Sequence, residues 1–261
     1  MTFDIRQVDL SKLNSMTKYP SILTYHTLGD KGMLQETVQI PFEGRLIGTE
    51  KVGGTNTRLI FCPDQSIVVG SREDLLWERR DSIGNPAMGI LDAVKETVHR
   101  LVEILCRPGR IALYFVEVFG RNIGGVAKNY TKTGKVSFRL FDVVFIENFD
   151  ELFDWPADKI AHWRANGGQR YVDADEIVKL AGEVGFQTVP ALFDTSAAQL
   201  PTDLEETYRF LLTFSSSECK LDEEANGVPE GVVVRSPDRS RIAKLRREDY
   251  ERTLNRRRTG R

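Results

Sequence analysis

Histidine and cysteine are scarce in this chain, three of each in 261 residues. Cys62, Cys106 and Cys219 are widely separated, which excludes a disulfide framework and a C-x-x-C zinc knuckle. With only His26, His99 and His162, a histidine-based metal site is not expected. No apolar run approaches the roughly 18 residues of a membrane span. The start, Met1-Thr2-Phe3-Asp4-Ile5-Arg6, mixes in charge from the outset, unlike a signal peptide. There is no internal repeat and no low-complexity segment. These absences together predict a reduced, cytoplasmic protein with no membrane partner.

The composition that remains is ordinary, 41% hydrophobic and 28% charged, and can fill one large or two small domains. A net charge of −2 hides an imbalance: from Arg241 to Arg261, nine Lys/Arg stand against three Asp/Glu. Arg256-Arg257-Arg258 reads either as a grip on phosphates or as a frayed, solvated end. The expected division is one domain over 1–247 and a basic C-terminal tail over 248–261. Met88, Leu91, Val94, Val98, Leu101, Val102 and Leu105 recur at helical spacing, and Pro108-Gly109 stops that helix. Asp173 or Asp175 caps a predicted helix over 174–183 that Gly185 ends, and another helix is predicted at about 202–214. A turn at Cys62-Pro63-Asp64-Gln65 makes a hairpin of 57–61 and 66–71. Strands are predicted at 111–119 and 136–147, joined by a loop through Gly124-Gly125 and Lys128. Residues 1–17 show no clear period. The pattern is antiparallel sheet with scattered helices, an α+β class rather than a βαβ series.

The most informative stretch is Glu50-Lys51-Val52-Gly53-Gly54-Thr55-Asn56, a lone lysine before a Gly-Gly turn between two strand-like runs. A lysine held there can be desolvated, lose its proton and act as a nucleophile; it also fits a surface hairpin lysine. Four further segments follow. Tyr114–Gly120 is an apolar strand carrying Glu117 near its end, and Phe138–Phe145 places Phe141 before Asp142. Glu230 opens the strand Gly231–Arg235, and Lys244 and Arg246 lie on one face of a last strand. Phe141 fits the core as well as a ligand platform, and Glu230 fits a solvated turn.

Taken in order, these five segments resemble the motif series of the covalent nucleotidyltransferases, the polynucleotide ligases and mRNA capping enzymes. Glu50-Lys51-x-x-Gly54-Thr55-Asn56, then Glu117-Val118-Phe119-Gly120 and Phe141-Asp142-Val143, is similar to the RNA ligases of the double-strand-sealing type. Lys18-Tyr19-Pro20-Ser21-Ile22, Gly185-Phe186 and Val189-Pro190 add local matches, so the resemblance runs from about residue 18 to about 247.

The resemblance implies an antiparallel-sheet adenylation domain acting as an ATP-dependent RNA ligase through lysyl–AMP. It makes Lys51 the nucleophile, with Lys244 and Arg246 as the cations that lower its pKa and spread charge on the α-phosphate. Glu117 would accept the ribose hydroxyls and Phe141 would stack on the purine. Glu230 would hold Mg²⁺ or Mn²⁺, which needs only one or two carboxylates. Glu50, Asn56 and Arg72 complete the expected ATP-binding set, and RNA ends are the expected partners. A minimal DNA ligase and a degenerate, non-catalytic nucleotide- or RNA-binding domain are the rival readings.

Three departures from the family pattern stand out. Gly53 occupies the position that is aspartate in many K-x-D-G enzymes, and Arg246 the position where a second lysine is common. The chain stops soon after the last motif, so no appended OB domain is expected, and a partner protein could supply further RNA-binding surface.

Overall fold

The computed structural model describes residues 3–79, 89–124, 126, 129–225 and 227–259. Met88, Gly125 and Lys128 lie outside the described residues. Two antiparallel sheets dominate. The five-stranded sheet has the order β6 (Leu75–Glu78), β5 (Ile67–Gly70), β4 (Thr55–Phe61), β7 (Ile111–Gly120), β8 (Val136–Ile146). The four-stranded sheet has the order β11 (Ile242–Arg246), β10 (Gly231–Arg235), β3 (Arg45–Lys51), β9 (Ala191–Ser196). A small pair, β1 (His26–Leu28) and β2 (Leu34–Val38), stands apart. Every pairing between these strands is antiparallel, as the α+β reading requires.

The five-stranded sheet is packed on both faces. One side of β7, through Tyr114, Val116 and Val118, meets α2 (Ile90–Arg100) at Val94 and Val98 and α6 (Ala174–Val184) at Ile177 and Ala181. The other side, through Leu113 and Phe115, shares a core with α1 (Leu10–Thr17), α4 (Phe149–Asp154) and α5 (Ala157–Ala165). The four-stranded sheet buries only one face. Leu46, Val232, Val234, Ala243 and Leu245 pack there with Leu204 and Leu211 of α7 (Leu204–Leu212) and Tyr250 and Leu254 of α8 (Arg247–Thr259).

The expected hairpin, the strands at 111–119 and 136–147, and the helices after Asp173 and near 202–214 are present. Four elements differ. The first seventeen residues include α1, whose N-cap Asp9 accepts from Ser11 N and Lys12 N, a helix too short to show a period. The helix expected through Leu105 breaks at Leu101, where φ −97° and ψ 1° end α2 before α3 (Val102–Leu105). Residues 149–165, given no element from the sequence, form α4 and α5. The segment expected as a basic tail is instead the helix α8, with Asp249, Tyr250, Thr253 and Leu254 buried against the body. Among the described residues no helix is long and apolar enough to cross a membrane.

Candidate active site

The chain passes from the four-stranded to the five-stranded sheet at Val52-Gly53-Gly54, and a cavity of about 600 Å³ lies between the two sheets beside that crossing. Gly54 must be glycine because a Cβ there would collide with the Val118 carbonyl oxygen of the neighbouring sheet. Gly53 donates its N–H to Tyr130 Oη at 2.7 Å. A Cβ on Gly53 would collide with Val126 and sit 3.2 Å from Glu230 Oε2. An aspartate here would bring a second carboxylate beside Glu230.

The period of two along a strand sorts the rest of the site. On β3, Ile47, Thr49 and Lys51 face the cavity, together with Val233 and Arg235 of β10 and Ile242 and Lys244 of β11. Lys51 ends its strand with Nζ 2.7 Å from Glu230 Oε2, the residue just before Gly231, which is Lys51's ladder partner. Both side chains are only partly exposed, at 21% and 25%. Burial lowers the Lys244 pKa, and Arg246, Lys51 and Arg72 lower it further.

Across the cavity, Asn56 and Glu117 are ladder partners on β4 and β7. Burial raises Glu117 to about 7; Lys51 opposes the shift and Glu230 adds to it. Asn56 Oδ1 is buried with no hydrogen-bond partner, an acceptor that a ligand hydroxyl or amine would satisfy. Phe141 borders the cavity half-buried, with its ring 5.1 Å from Tyr19 in an edge contact. Arg72 lines the same cavity and donates to Ser21 Oγ at 2.8 Å.

Two expected site residues are engaged elsewhere. Glu50 borders the cavity, but the alternation turns its side chain to the opposite face, where it is 1% exposed. Its carboxylate accepts from Ser217 Oγ at 2.5 Å and Glu218 N at 3.0 Å. Arg246 shares the sheet face of Lys51 but does not line the cavity; its guanidinium is held by Asp249 of α8.

Sequence reasoning missed the back wall. Asp142, 1% exposed, accepts from Tyr19 Oη at 2.5 Å, Arg235 NH1 at 2.6 Å and Arg239 Nε at 2.8 Å. Arg239 also lies 3.3 Å over the Tyr171 ring. The signal was available: an acid in the middle of an apolar strand must find buried cations.

Residues 44–246 match the family model for RNA ligases. No curated protein matches the chain. Among solved structures it is similar to an archaeal ATP-dependent RNA ligase, with TM-score 0.55 and 17% identity, over 89% of this chain and 49% of that one. It is also similar to a Naegleria gruberi RNA ligase mutant solved with ATP and Mn, with TM-score 0.54 and 18% identity, over 91% of this chain and 62% of that one. A second mutant of that enzyme, in apo form, gives TM-score 0.52 and 18% identity over 92% and 62%. The chain thus spans about half the length of the archaeal enzyme and about three fifths of the Naegleria one. At such identities these likenesses show a shared fold, while the family model covers most of the chain. The chain belongs to the RNA ligase family.

Proposed function

We propose that this protein joins RNA 3′-hydroxyl and 5′-phosphate ends at the expense of ATP, with Lys51 as the nucleophile. The observation that carries the reading is Lys51 Nζ, 2.7 Å from Glu230 and beside Lys244, at a nucleotide-sized cavity within the matched family region. Lys51 Nζ attacks the α-phosphorus of ATP, the N–P bond forms, and the bond to pyrophosphate breaks. Glu230 is within hydrogen-bond reach to take the ammonium proton. An oxygen of the RNA 5′-phosphate then displaces Lys51, giving an RNA–adenylate. The 3′-hydroxyl oxygen attacks that 5′-phosphate, AMP leaves, and the phosphodiester is made.

In this reading Glu117 and Asn56 receive the ribose and Phe141 stacks on the adenine. A largely hydrated divalent ion needs only one or two carboxylates, and Glu230 supplies one at the cavity beside Lys51. Glu230, paired with Lys51 at the cavity, is its one proposed protein ligand, with water completing the shell. A bound Mg²⁺ or Mn²⁺ would offset the triphosphate charge. The neighbour solved with ATP and Mn supports both assignments.

Intact-mass measurement after incubation with ATP and Mg²⁺ or Mn²⁺ tests the first step. The expected result is a gain of one AMP, reversed by pyrophosphate and absent in Lys51→Ala. An adduct that persists in Lys51→Ala would sink the nucleophile assignment, and no adduct in the parent would leave a nucleotide-binding domain. Sealing of nicked duplexes ending in ribose or deoxyribose on the 3′-hydroxyl side tests the RNA assignment, because an RNA enzyme reads the 2′-hydroxyl there. Equal rates would make it a DNA ligase.

A further inference from the structure

The helix α8 begins at residue 247, one residue beyond the stretch that matches the family, yet it is built into the site. The ladder puts Arg246, Gly231 and Lys51 in one row across β11, β10 and β3, so Arg246 and Lys51 leave the same sheet face. Gly231 contributes no side chain between them. At about 4.8 Å per strand, the two cations stand roughly 10 Å apart across that gap, the span of a polyphosphate. Arg246 is not free to swing. Asp249 Oδ2 accepts from its Nε at 2.7 Å and Oδ1 from its NH2 at 3.0 Å, a two-pronged grip from the first turn of α8.

Asp249 is itself fixed. It is 1% exposed, and its Oδ1 also accepts from Arg252 NH2 at 2.7 Å, while Arg252 donates onward to the Gly32 carbonyl at 2.8 Å. The same joint reaches the acid of the site: Arg247 N–H donates to the Glu230 carbonyl at 3.0 Å. The Arg247 guanidinium ties the helix to the carbonyls of Leu211 and Phe214 at 3.0 and 2.8 Å.

Resting on the reading above, we propose that Asp249 is a positioning residue that aims the Arg246 guanidinium at the pyrophosphate as it leaves the α-phosphorus that Lys51 attacks. Arg246 keeps its charge whatever Asp249 does, so what Asp249 supplies is direction. Misplacing a charge-stabilising group by about 1 Å can cost as much as a hundredfold in rate.

The test is a double-substitution cycle on lysine adenylylation, with rate and KM for ATP measured separately in the full chain. Asp249→Asn keeps the shape and loses the charge-assisted grip; the expected effect is a fall of about tenfold in the adenylylation rate with KM changed less than threefold. In an Arg246→Ala background, the same Asp249→Asn change is expected to have no further effect, because its route runs through Arg246. Should Asp249→Asn not fold, Asp249→Glu keeps the charge and shifts the guanidinium by one methylene, with the same loss of rate at constant KM expected. A parental rate in the folded variant, or equal effects of Asp249→Asn with and without Arg246, overturns the proposal. No adduct in the parent protein overturns the ligase reading instead, so the two failures are distinct.

Discussion

The two sheets that face the cavity are built differently. The five-stranded sheet has apolar cores on both faces, and every residue of β5 and nearly all of β7 is buried. What it offers the cavity, Asn56, Glu117 and Phe141, is held by ladders and rings that leave little freedom. The four-stranded sheet buries one face only, and its other face presents Lys51, Lys244 and Arg235. Burying unpaired charge on both sides of a sheet would cost more than the fold can supply. Asn56, Glu117 and Phe141 thus stand on a sheet packed from both sides, and Lys51 and Lys244 stand partly exposed on the uncovered face of the other.

The largest effect on this comparison should come from the pin that joins the sheets. Asp142 belongs to β8 and Arg235 to β10, so Asp142→Asn leaves buried guanidinium groups without their carboxylate. Urea unfolding should show a loss of about 3–5 kcal/mol; a loss below about 1 kcal/mol would mean that the sheets do not depend on each other. Next comes Glu117, whose folded pKa of about 7 lies above its ordinary 4.5. The folded state then binds more protons between those values, so this group costs nothing below about 4.5, an increasing amount up to about 7, and a constant amount above it. Glu117→Gln should therefore match the parent in stability near pH 4 and exceed it by up to about 3 kcal/mol at pH 8. The opposite trend would place Glu117 in a favourable ionic setting.

A smaller effect is expected at Phe141. Phe141→Ala should raise KM for ATP by about 1–3 kcal/mol, roughly five- to hundredfold, while Phe141→Trp retains most of the affinity. An unchanged KM with an intact fold would return the ring to the core. The smallest is on the exposed end of α8: Arg258→Ala should lower the salt slope of RNA binding by about one and leave lysine adenylylation unchanged. A fall in adenylylation would show that this end of the helix also acts on the nucleotide.

Motif order and strand alternation made most of the cavity's polar rim legible, and the structure brings Lys51, Asn56, Arg72, Glu117, Phe141, Glu230 and Lys244 to one cavity. Glu50 points away from Lys51, as alternation requires, since neighbours on a strand face opposite sides. The helix α8 was not legible. Its sequence, REDYERTLNRRRT, carries only Tyr250 and Leu254 as large apolar anchors, so charge hides the face that is buried. The Asp142 hub required knowing that residues 19, 142, 235 and 239 meet, which no local pattern encodes. The partner of Arg246 lay only three positions away, but an acid there also reads as a helix-start residue.

The place of β3 in its sheet carries a consequence for synthesis. The strand that bears Lys51 pairs with β9 and β10, which begin at residues 191 and 231. While the chain emerges from the ribosome, β3 waits as an unpaired edge until those later residues follow it, whereas β4 and β5 can close as a hairpin at once. Lys51 is thus made well before Glu230 and Lys244, its neighbours at the cavity. The cavity that Lys51 borders takes shape only once β10 and β11 dock. The same delay makes the segment around residues 45–51 the stretch most open to pairing with another chain before synthesis is complete.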